Sequence, residues 1–235
     1  MNKNLKKRCQ RGVIGGNSFI KTPLEDYPHW FARKFSILIT SLLIKTKFTP
    51  NQISIFSIFV GIFGALLFFY GSYKSFMFGA FFLFLWFVLD HVDGEVARYK
   101  NEKSVLGHYL DKMMHSIIHP LVFLSIGLGL FNRFGNINWI FLGIISSFSI
   151  FLIDLVRLNK LETRLYKHLS NNKESSTLKK FKLNFLYQFQ WVLFIMIILT
   201  ILDLLQYFLI FYSFVLFLKF VISFFNTINN EENWR

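Results

Sequence analysis

The sequence predicts an all-α integral membrane protein, with six transmembrane helices preceded by an N-terminal amphipathic helix at the membrane interface. Its composition is the first observation behind this prediction. Of the 235 residues, 54% are hydrophobic and 32 are Phe, whereas a soluble domain of this length carries more charged and fewer apolar residues. The second observation is that the apolar residues form runs long enough to cross a bilayer, which takes about 20 helical residues.

Five apolar runs follow one another along the chain, at residues 53–70, 76–89, 105–131, 139–156 and 185–225. The last run has room for two spans if it breaks near residues 203–206, which gives six transmembrane helices. We therefore predict a six-helix transmembrane domain over residues 49–235, after a cytosolic N-terminal segment over residues 1–48.

The segment before the first run, residues 29–47, is expected to form the amphipathic helix. It mixes four basic residues with Ile, Leu and Phe, a pattern typical of a helix that lies at the interface. The basic residues are Arg33, Lys34, Lys45 and Lys47.

The net charge of +13 follows the topology and is not gathered on a nucleic-acid-binding module. Ten Lys or Arg residues precede Thr49, three lie in residues 98–103 and eight in residues 157–182, against only Lys74 and Arg133 in the predicted outer turns. The positive-inside rule therefore places both termini and the connection after the second span in the cytosol. We expect a multi-pass protein of a bacterial inner membrane whose basic segments attract anionic lipids, with no nucleic acid as partner.

Carboxylates lie inside these apolar segments, where they are costly and usually mark function. Asp90, Asp93, Gly94 and Ala97 recur at spacings of three and four residues, so they share one face of a helix. Gly107, Asp111 and His115 share a face of the next helix in the same way. Because the intervening residues 99–106 are polar and few, the two helices are antiparallel neighbours and the two faces can meet.

Three carboxylates and an imidazole that converge in this way suit a hard divalent cation, Mg²⁺ or Mn²⁺. The glycines on the same faces allow a ligand or another backbone to approach closely. A nucleotide diphosphate held by metal fits this combination of residues. Since Cys9 is the only cysteine, neither an internal disulfide nor a cysteine-based metal cluster is expected.

The pattern resembles the signature of the CDP-alcohol phosphatidyltransferase family, which is D-x-x-D-G-x-x-A-R, eight residues, and then G-x-x-x-D-x-x-x-D. The chain has every fixed residue of the signature except the last, where His115 replaces an aspartate. A second family-like element, Thr-Pro-Asn-Gln-Ile-Ser at residues 49–54, opens the preceding apolar helix. The resemblance covers residues 48–120 and extends beyond them only in topology.

The resemblance implies a CDP-alcohol phosphotransferase, which moves the phosphoryl-alcohol or phosphatidyl group of a CDP-alcohol donor to an acceptor hydroxyl and releases CMP. Such a reaction belongs to the biosynthesis of phospholipids or of related phosphodiesters such as surface glycans. Asp90, Asp93 and Asp111 would hold two Mg²⁺ or Mn²⁺ ions. The residues that would shape the CDP pocket are Gly94, Ala97, Arg98 and Gly107.

His115 is the departure from the family signature. The family's aspartate at this position is implicated as the base toward the acceptor hydroxyl and as part of the metal site. An imidazole with its unperturbed pKa of about 6.5 suits a general base at cytosolic pH. We take His115 as the candidate catalytic base, with metal ligation or simple packing as alternatives. Whether a second metal ion binds depends on which of these roles His115 has.

Other residues near the motif allow more than one interpretation. Arg157 and Arg164 either bind a phosphate of the acceptor or serve only to orient the helix in the membrane. His91, His108 and His119 are interpreted as surface or packed residues.

The sequence also leaves wider questions open. Carboxylates alone would serve a divalent-cation transporter, but transporters usually show internal repeats with polar breaks near the midplane, whereas this polar cluster is expected at one cytosolic edge. A non-catalytic membrane partner on the same scaffold is a further alternative. The identities of the donor and the acceptor, and the formation of a homodimer, are not decided by the sequence.

Overall fold

The computed structural model describes Cys9 and residues 27–102, 104–169 and 189–231, with side chains through residue 155 in the second of these long ranges and residue 225 in the third. These residues are helical throughout, with short connections and no strand. The helices are α1 (Tyr27–Leu43), α2 (Pro50–Leu67), α3 (Tyr73–Lys100), α4 (Val105–Phe134), α5 (Asn138–Leu169), α6 (Phe189–Ile201) and α7 (Leu205–Glu231), and a 3-10 turn (Phe68–Tyr70) follows α2.

Five of the described helices are long and apolar enough to cross a membrane, as expected of an all-α integral membrane protein. They are α2 with its 3-10 turn, α3, α4, the Asn138–Leu155 part of α5, and α7 up to Phe225. Helix α6 is apolar but has only 13 described residues. Because the start of its predicted span lies outside the described residues, the sixth crossing stays a prediction.

Side-chain caps set the ends of the helices around the motif. Thr49 caps α2 in a capping box with Gln52, and Pro50 occupies the first turn. Ser104 caps α4 by accepting a hydrogen bond from the Gly107 amide at 2.9 Å. Asn101, in the left-handed conformation at φ 58°, ends α3. The predicted short connection between the two motif helices is confirmed.

Helix α2 packs against both α3 and α4, and these three helices form the centre of the bundle. Helix α4 packs further against α5, which in turn contacts α7, while α1 and α6 lie against α3. At the α4–α5 crossing a Cβ atom on Gly127 would lie 2.8 Å from the Cα atom of Gly143. The two backbones therefore meet through small residues, as is common between membrane helices.

Helix α1 covers most of the segment predicted to be an amphipathic helix, and its inward side carries two hydroxyl side chains among apolar ones. Ser36 and Thr40 are buried and donate hydrogen bonds of 3.0 and 2.7 Å to the two carboxylate oxygens of Glu95 on α3. Phe35 and Leu38 are exposed on the other side. An exposed apolar face suits contact with lipid, and the location of α1 at the interface remains a prediction.

The end of the bundle away from the motif is closed by polar contacts. Arg133, in the last turn of α4, donates bidentate hydrogen bonds of 2.5 and 2.6 Å to Asp203 in the α6–α7 turn. The Tyr73 hydroxyl donates to the carbonyl of Ile201 at 3.0 Å. This turn at residues 202–204 confirms the predicted break in the last apolar run.

We expect Asp203→Asn to lower thermal stability at neutral pH by a small amount. Hydrogen bonds from Arg133 hold the pKa of the Asp203 carboxyl below its usual value, so the pair stabilises the fold above the unfolded-state pKa of about 3.9. The loss should be about 0.2–1 kcal/mol because the pair is exposed, while Asn still tolerates the φ of 57°.

Melting temperatures of wild type and Asp203→Asn in detergent check this expectation. The stabilisation is lost as the pH falls through the lowered folded-state pKa, so the difference at pH 7 should shrink at about pH 3. Equal melting temperatures at pH 7 would show that the ion pair contributes nothing.

Candidate active site

Three of the predicted site residues meet between α3 and α4. Ligand atoms of Asp90, Asp111 and His115 all lie within 4.8 Å of one another. His115 Nε2 is 3.7 Å from Asp90 Oδ1 and 3.5 Å from Asp111 Oδ1. The predicted convergence of the two motif faces is thus observed for these three residues.

The position of the cluster follows from helix geometry. Asp111 and His115 are four residues apart on α4 and project on one side, toward Asp90 on α3. Asp111 lies six residues after the first residue of α4, about 9 Å along the helix axis. The cluster therefore lies near the end of the bundle that carries the α3–α4 connection.

Asp93 lies beside this cluster without belonging to the group of three. Its Oδ2 atom accepts a hydrogen bond of 2.5 Å from Ser54 on α2, whose hydroxyl also lies 3.2 Å from the carbonyl of Pro50. The family-like element at the start of α2 thus fixes one of the motif carboxylates. Metal ligation by Asp93 stays a prediction.

The same element also holds the start of α4. Asn51 Oδ1 accepts a hydrogen bond of 3.1 Å from Ser104, and a Cβ atom on Gly107 would lie 3.0 Å from that oxygen. Gly107 therefore permits the close approach of α2 and α4. Its predicted contact with a nucleotide is a separate matter that this geometry does not test.

The donor set fits a divalent cation. The side chain of Asp90 is only 14% exposed. Its Oδ1 atom is buried and has no hydrogen-bond partner among the described residues. A buried carboxylate oxygen without a donor is costly, and a bound cation removes that cost. Two carboxylates and an imidazole are suitable ligands for Mg²⁺ or Mn²⁺.

Arg98 extends back over Gly94, where a Cβ atom would lie 3.1 Å from a guanidinium nitrogen. Its Nε atom donates to the carbonyl of Cys9 at 2.5 Å, so Cys9 lies against the end of α3. Ala97 lies one turn after Gly94 and is half-buried. The predicted roles of these residues in binding CDP stay predictions.

Two side chains next to His115 were not recognised from the sequence as part of this region. His119, which is 6% exposed, lies with its Nε2 atom 3.1 Å from His115 Nδ1. The Nδ1 atom of His119 is 3.6 Å from Asp154 Oδ2 on α5. The spacing of four residues between the two histidines was the available signal for the first contact, whereas nothing local points to Asp154.

The other histidines agree with their interpretation as surface or packed residues. His91 is buried and lies 2.8 Å from the Phe87 carbonyl and 2.9 Å from a ring nitrogen of His29, while His108 is exposed. The structure describes the side chains of α5 only through residue 155. The suggested contact of Arg157 and Arg164 with the acceptor is therefore not tested.

Comparison with known proteins identifies the family. The family model described as CDP-alcohol phosphatidyltransferase matches residues 47–225. The bifunctional IPC transferase and DIPP synthase of Aquifex aeolicus is 30% identical over 145 residues, which are 62% of this chain and 31% of that protein. The chain thus corresponds to about a third of the length of that relative.

A similar fold is seen in the crystal structure of phosphatidylinositol phosphate synthase from Mycobacterium tuberculosis with CDP-DAG bound. The TM-score is 0.59 at 17% identity, with 81% of this chain and 89% of that chain covered. Nothing in these comparisons favours a cation transporter or a non-catalytic partner. The match over most of the described bundle shows that the chain belongs to the CDP-alcohol phosphatidyltransferase family.

Proposed function

We propose that Asp90, Asp93 and Asp111 hold Mg²⁺ or Mn²⁺ for the diphosphate of a CDP-alcohol, with His115 acting beside them on the acceptor. The observation that carries this proposal is the meeting of Asp90, Asp111 and His115 within 4.8 Å, on two helices that carry the family signature. A bound divalent cation would neutralise charge on the phosphates and orient them for in-line displacement.

The acceptor hydroxyl then attacks the β-phosphorus of the CDP-alcohol, and the bond from that phosphorus to the CMP oxygen breaks. The products are a phosphodiester and CMP. Such a reaction depends mainly on positioning and on charge stabilisation and needs little covalent chemistry from the protein. Gly94, Ala97, Arg98 and Gly107 would shape the pocket around the nucleotide, and Arg157 and Arg164 would contact the acceptor.

In this proposal His115 takes the proton of the acceptor hydroxyl. Its Nε2 atom faces both Asp90 and Asp111 at less than 4 Å, so a hydroxyl that approaches the cluster also approaches this nitrogen. Ligation of a cation by the same atom is the alternative, and in that case the imidazole takes the place of the family's fourth aspartate. Whether one or two ions bind depends on this choice.

We further propose that the cluster faces the cytosol of a bacterial cell, with six crossings of the inner membrane and α1 at the cytosolic interface. The density of basic residues in residues 1–48 and 157–182 supports this orientation. CDP-alcohols and other cytidine nucleotides are supplied on that side.

The donor and the acceptor are left to experiment. One relative in the comparison has CDP-DAG bound, and the other is named as an IPC transferase and DIPP synthase, so a lipid donor and a soluble donor both deserve assay. A panel of CDP-diacylglycerol and soluble CDP-alcohols, each with inositol phosphates, glycerol phosphate, lipids and glycans as acceptors, would identify the pair through CMP release.

We expect Asp111→Asn to abolish CMP release, because a neutral amide removes the charge that balances the bound cation, at a cost of several kcal/mol in the transition state. Wild type in excess chelator should be equally inactive. Asp203→Asn, the same substitution at the other end of the bundle, is the matched control and should keep full activity. Full activity of Asp111→Asn, or of wild type in chelator, would contradict the metal assignment.

Substitution of His115 separates the two roles proposed for it. If the imidazole is the base, His115→Ala should lose about 10²- to 10⁴-fold in kcat at saturating metal. If it is a ligand, the variant should chiefly need more Mg²⁺ or Mn²⁺ for half-maximal activity. His115→Asp restores the family's residue and should retain part of the activity. Unchanged kcat and unchanged metal requirement in His115→Ala would exclude both roles.

Labelling of introduced cysteines tests the orientation in the membrane. In a Cys9→Ser background, Ser72→Cys lies at the start of α3 and Ser175→Cys lies in the basic segment after α5. An impermeant thiol reagent added to intact cells should label position 72 and spare position 175 until the cells are opened. Labelling of position 175 alone would place the aspartate cluster on the outer side.

A further inference from the structure

A serine on α2 contacts one of the signature carboxylates from outside the signature. The Ser54 hydroxyl lies 2.5 Å from Oδ2 of Asp93 on α3, and 3.2 Å from the carbonyl oxygen of Pro50, one turn earlier on its own helix. Ser54 is 3% exposed, so water has little access to this hydroxyl. The serine has no part of its own in the reaction proposed above.

The two distances decide which acceptor receives the hydroxyl proton. A hydroxyl has only one proton to donate, and a carboxylate that binds a cation only accepts hydrogen bonds. A hydroxyl that donates to a carboxylate makes a short, strong hydrogen bond of about 2.5–2.7 Å, whereas ordinary hydroxyl hydrogen bonds end at about 3.0 Å. The contact of 2.5 Å with Asp93 therefore dominates over the contact of 3.2 Å with Pro50.

Buried side chains next to this hydrogen bond fix α2 against α3. Ile53, Val92 and Val96 form one buried cluster at this place. The first of them directly precedes Ser54 in the chain, and the second directly precedes Asp93. Because sliding or rotation of α2 would break this packing, the serine hydroxyl is held at a fixed place beside the carboxylate.

A fixed donor of this kind matters for a metal ligand. A carboxylate that is free to turn presents its oxygens to a cation only part of the time, whereas a hydrogen bond to one oxygen restricts this rotation and leaves the other oxygen for the cation. Groups that hydrogen-bond a metal ligand from behind orient it in this way and raise the affinity of the site.

We infer that Ser54 is a positioning residue that holds Asp93 in the orientation in which it binds the cation, and that it thereby sets the affinity of the site for Mg²⁺ or Mn²⁺. This inference deepens the proposed function and rests on it, since it takes Asp93 as a metal ligand.

Binding of Mn²⁺ to the full-length protein in detergent is the direct test, with free Mn²⁺ measured by its EPR signal and no nucleotide present. Ser54→Ala removes the hydroxyl and should raise the Kd for Mn²⁺ about 10- to 100-fold, the usual effect of removing a support behind a metal ligand. Ser54→Thr keeps the hydroxyl and should bind Mn²⁺ more tightly than Ser54→Ala does. If Ser54→Ala does not fold, Ser54→Cys, whose thiol is a weak donor, carries the test in its place.

Ser57→Ala is the matched control, because it removes a buried hydroxyl one turn further along α2. The Ser57 hydroxyl donates to the carbonyl of Ser54 at 2.7 Å and lies 3.1 Å from Met114 Sδ on α4. Loss of these contacts should lower the melting temperature without a change in the Kd for Mn²⁺.

A double-mutant cycle with Asp93→Ala shows whether Ser54 acts through Asp93. If Ser54 only positions that carboxylate, Ser54→Ala should weaken Mn²⁺ binding in the wild-type background and have no further effect in the Asp93→Ala background. An equal loss in both backgrounds would show that the serine contacts the cation directly, and would overturn the positioning role.

Kinetics give a second readout. Ser54→Ala should need about 10- to 100-fold more Mg²⁺ for half-maximal CMP release, with the KM for the CDP-alcohol at saturating metal unchanged. Ser57→Ala should keep the Mg²⁺ requirement of wild type.

The outcomes separate this inference from the proposed function. A raised Kd for Mn²⁺ in Asp93→Ala but not in Ser54→Ala would overturn the inference and leave the metal site standing. An unchanged Kd in Asp93→Ala, or no Mn²⁺ binding by wild type, would refute the proposed ligand set and the inference with it. Mn²⁺ binding without CMP release from any donor would contradict the proposed reaction alone, and a raised Kd in Ser54→Ala would still support the positioning role.

Discussion

Neutralisation of the carboxylates is the constraint on which the rest of this structure depends. Asp90, Asp93 and Asp111 lie on two helices that are otherwise apolar, near one end of a membrane bundle, where charge without compensation is costly. The described side chains supply only part of the compensation, since Ser54 donates to Asp93 while Asp90 Oδ1 receives no hydrogen bond from them. The cation proposed for this site would complete it, and its charge would attract the phosphates of the substrate.

Helix α2 is the frame that brings the two halves of the signature together. Its first two turns contact both motif helices, through Ser54 with Asp93 on α3 and through Asn51 with Ser104 at the start of α4. The capping box at Thr49 fixes the residue at which α2 begins. It therefore also fixes where Asn51 and Ser54 lie along the helix axis. Precise placement of this kind is what a reaction that relies on positioning requires.

Much of the fold and of the cluster of Asp90, Asp111 and His115 could be predicted from the sequence, because both depend on short-range patterns. Apolar runs gave the helices, and spacings of three and four residues gave the faces on which Asp90, Asp111 and His115 meet. The contacts of His119 with Asp154 and of Glu95 with Ser36 join residues far apart in the chain, and no periodicity signals them.

The contact of α1 with Glu95 determines how much of the chain has to be kept together for the signature helix to remain intact. Glu95 lies within the signature and is 1% exposed, with hydroxyl donors from Ser36 and Thr40. A chain cut at residue 49 would leave this carboxylate without those two donors in an apolar environment, within the signature itself. Helix α1 is thus a structural part of the helix that carries the signature, and any transplant of this bundle into another protein has to include α1.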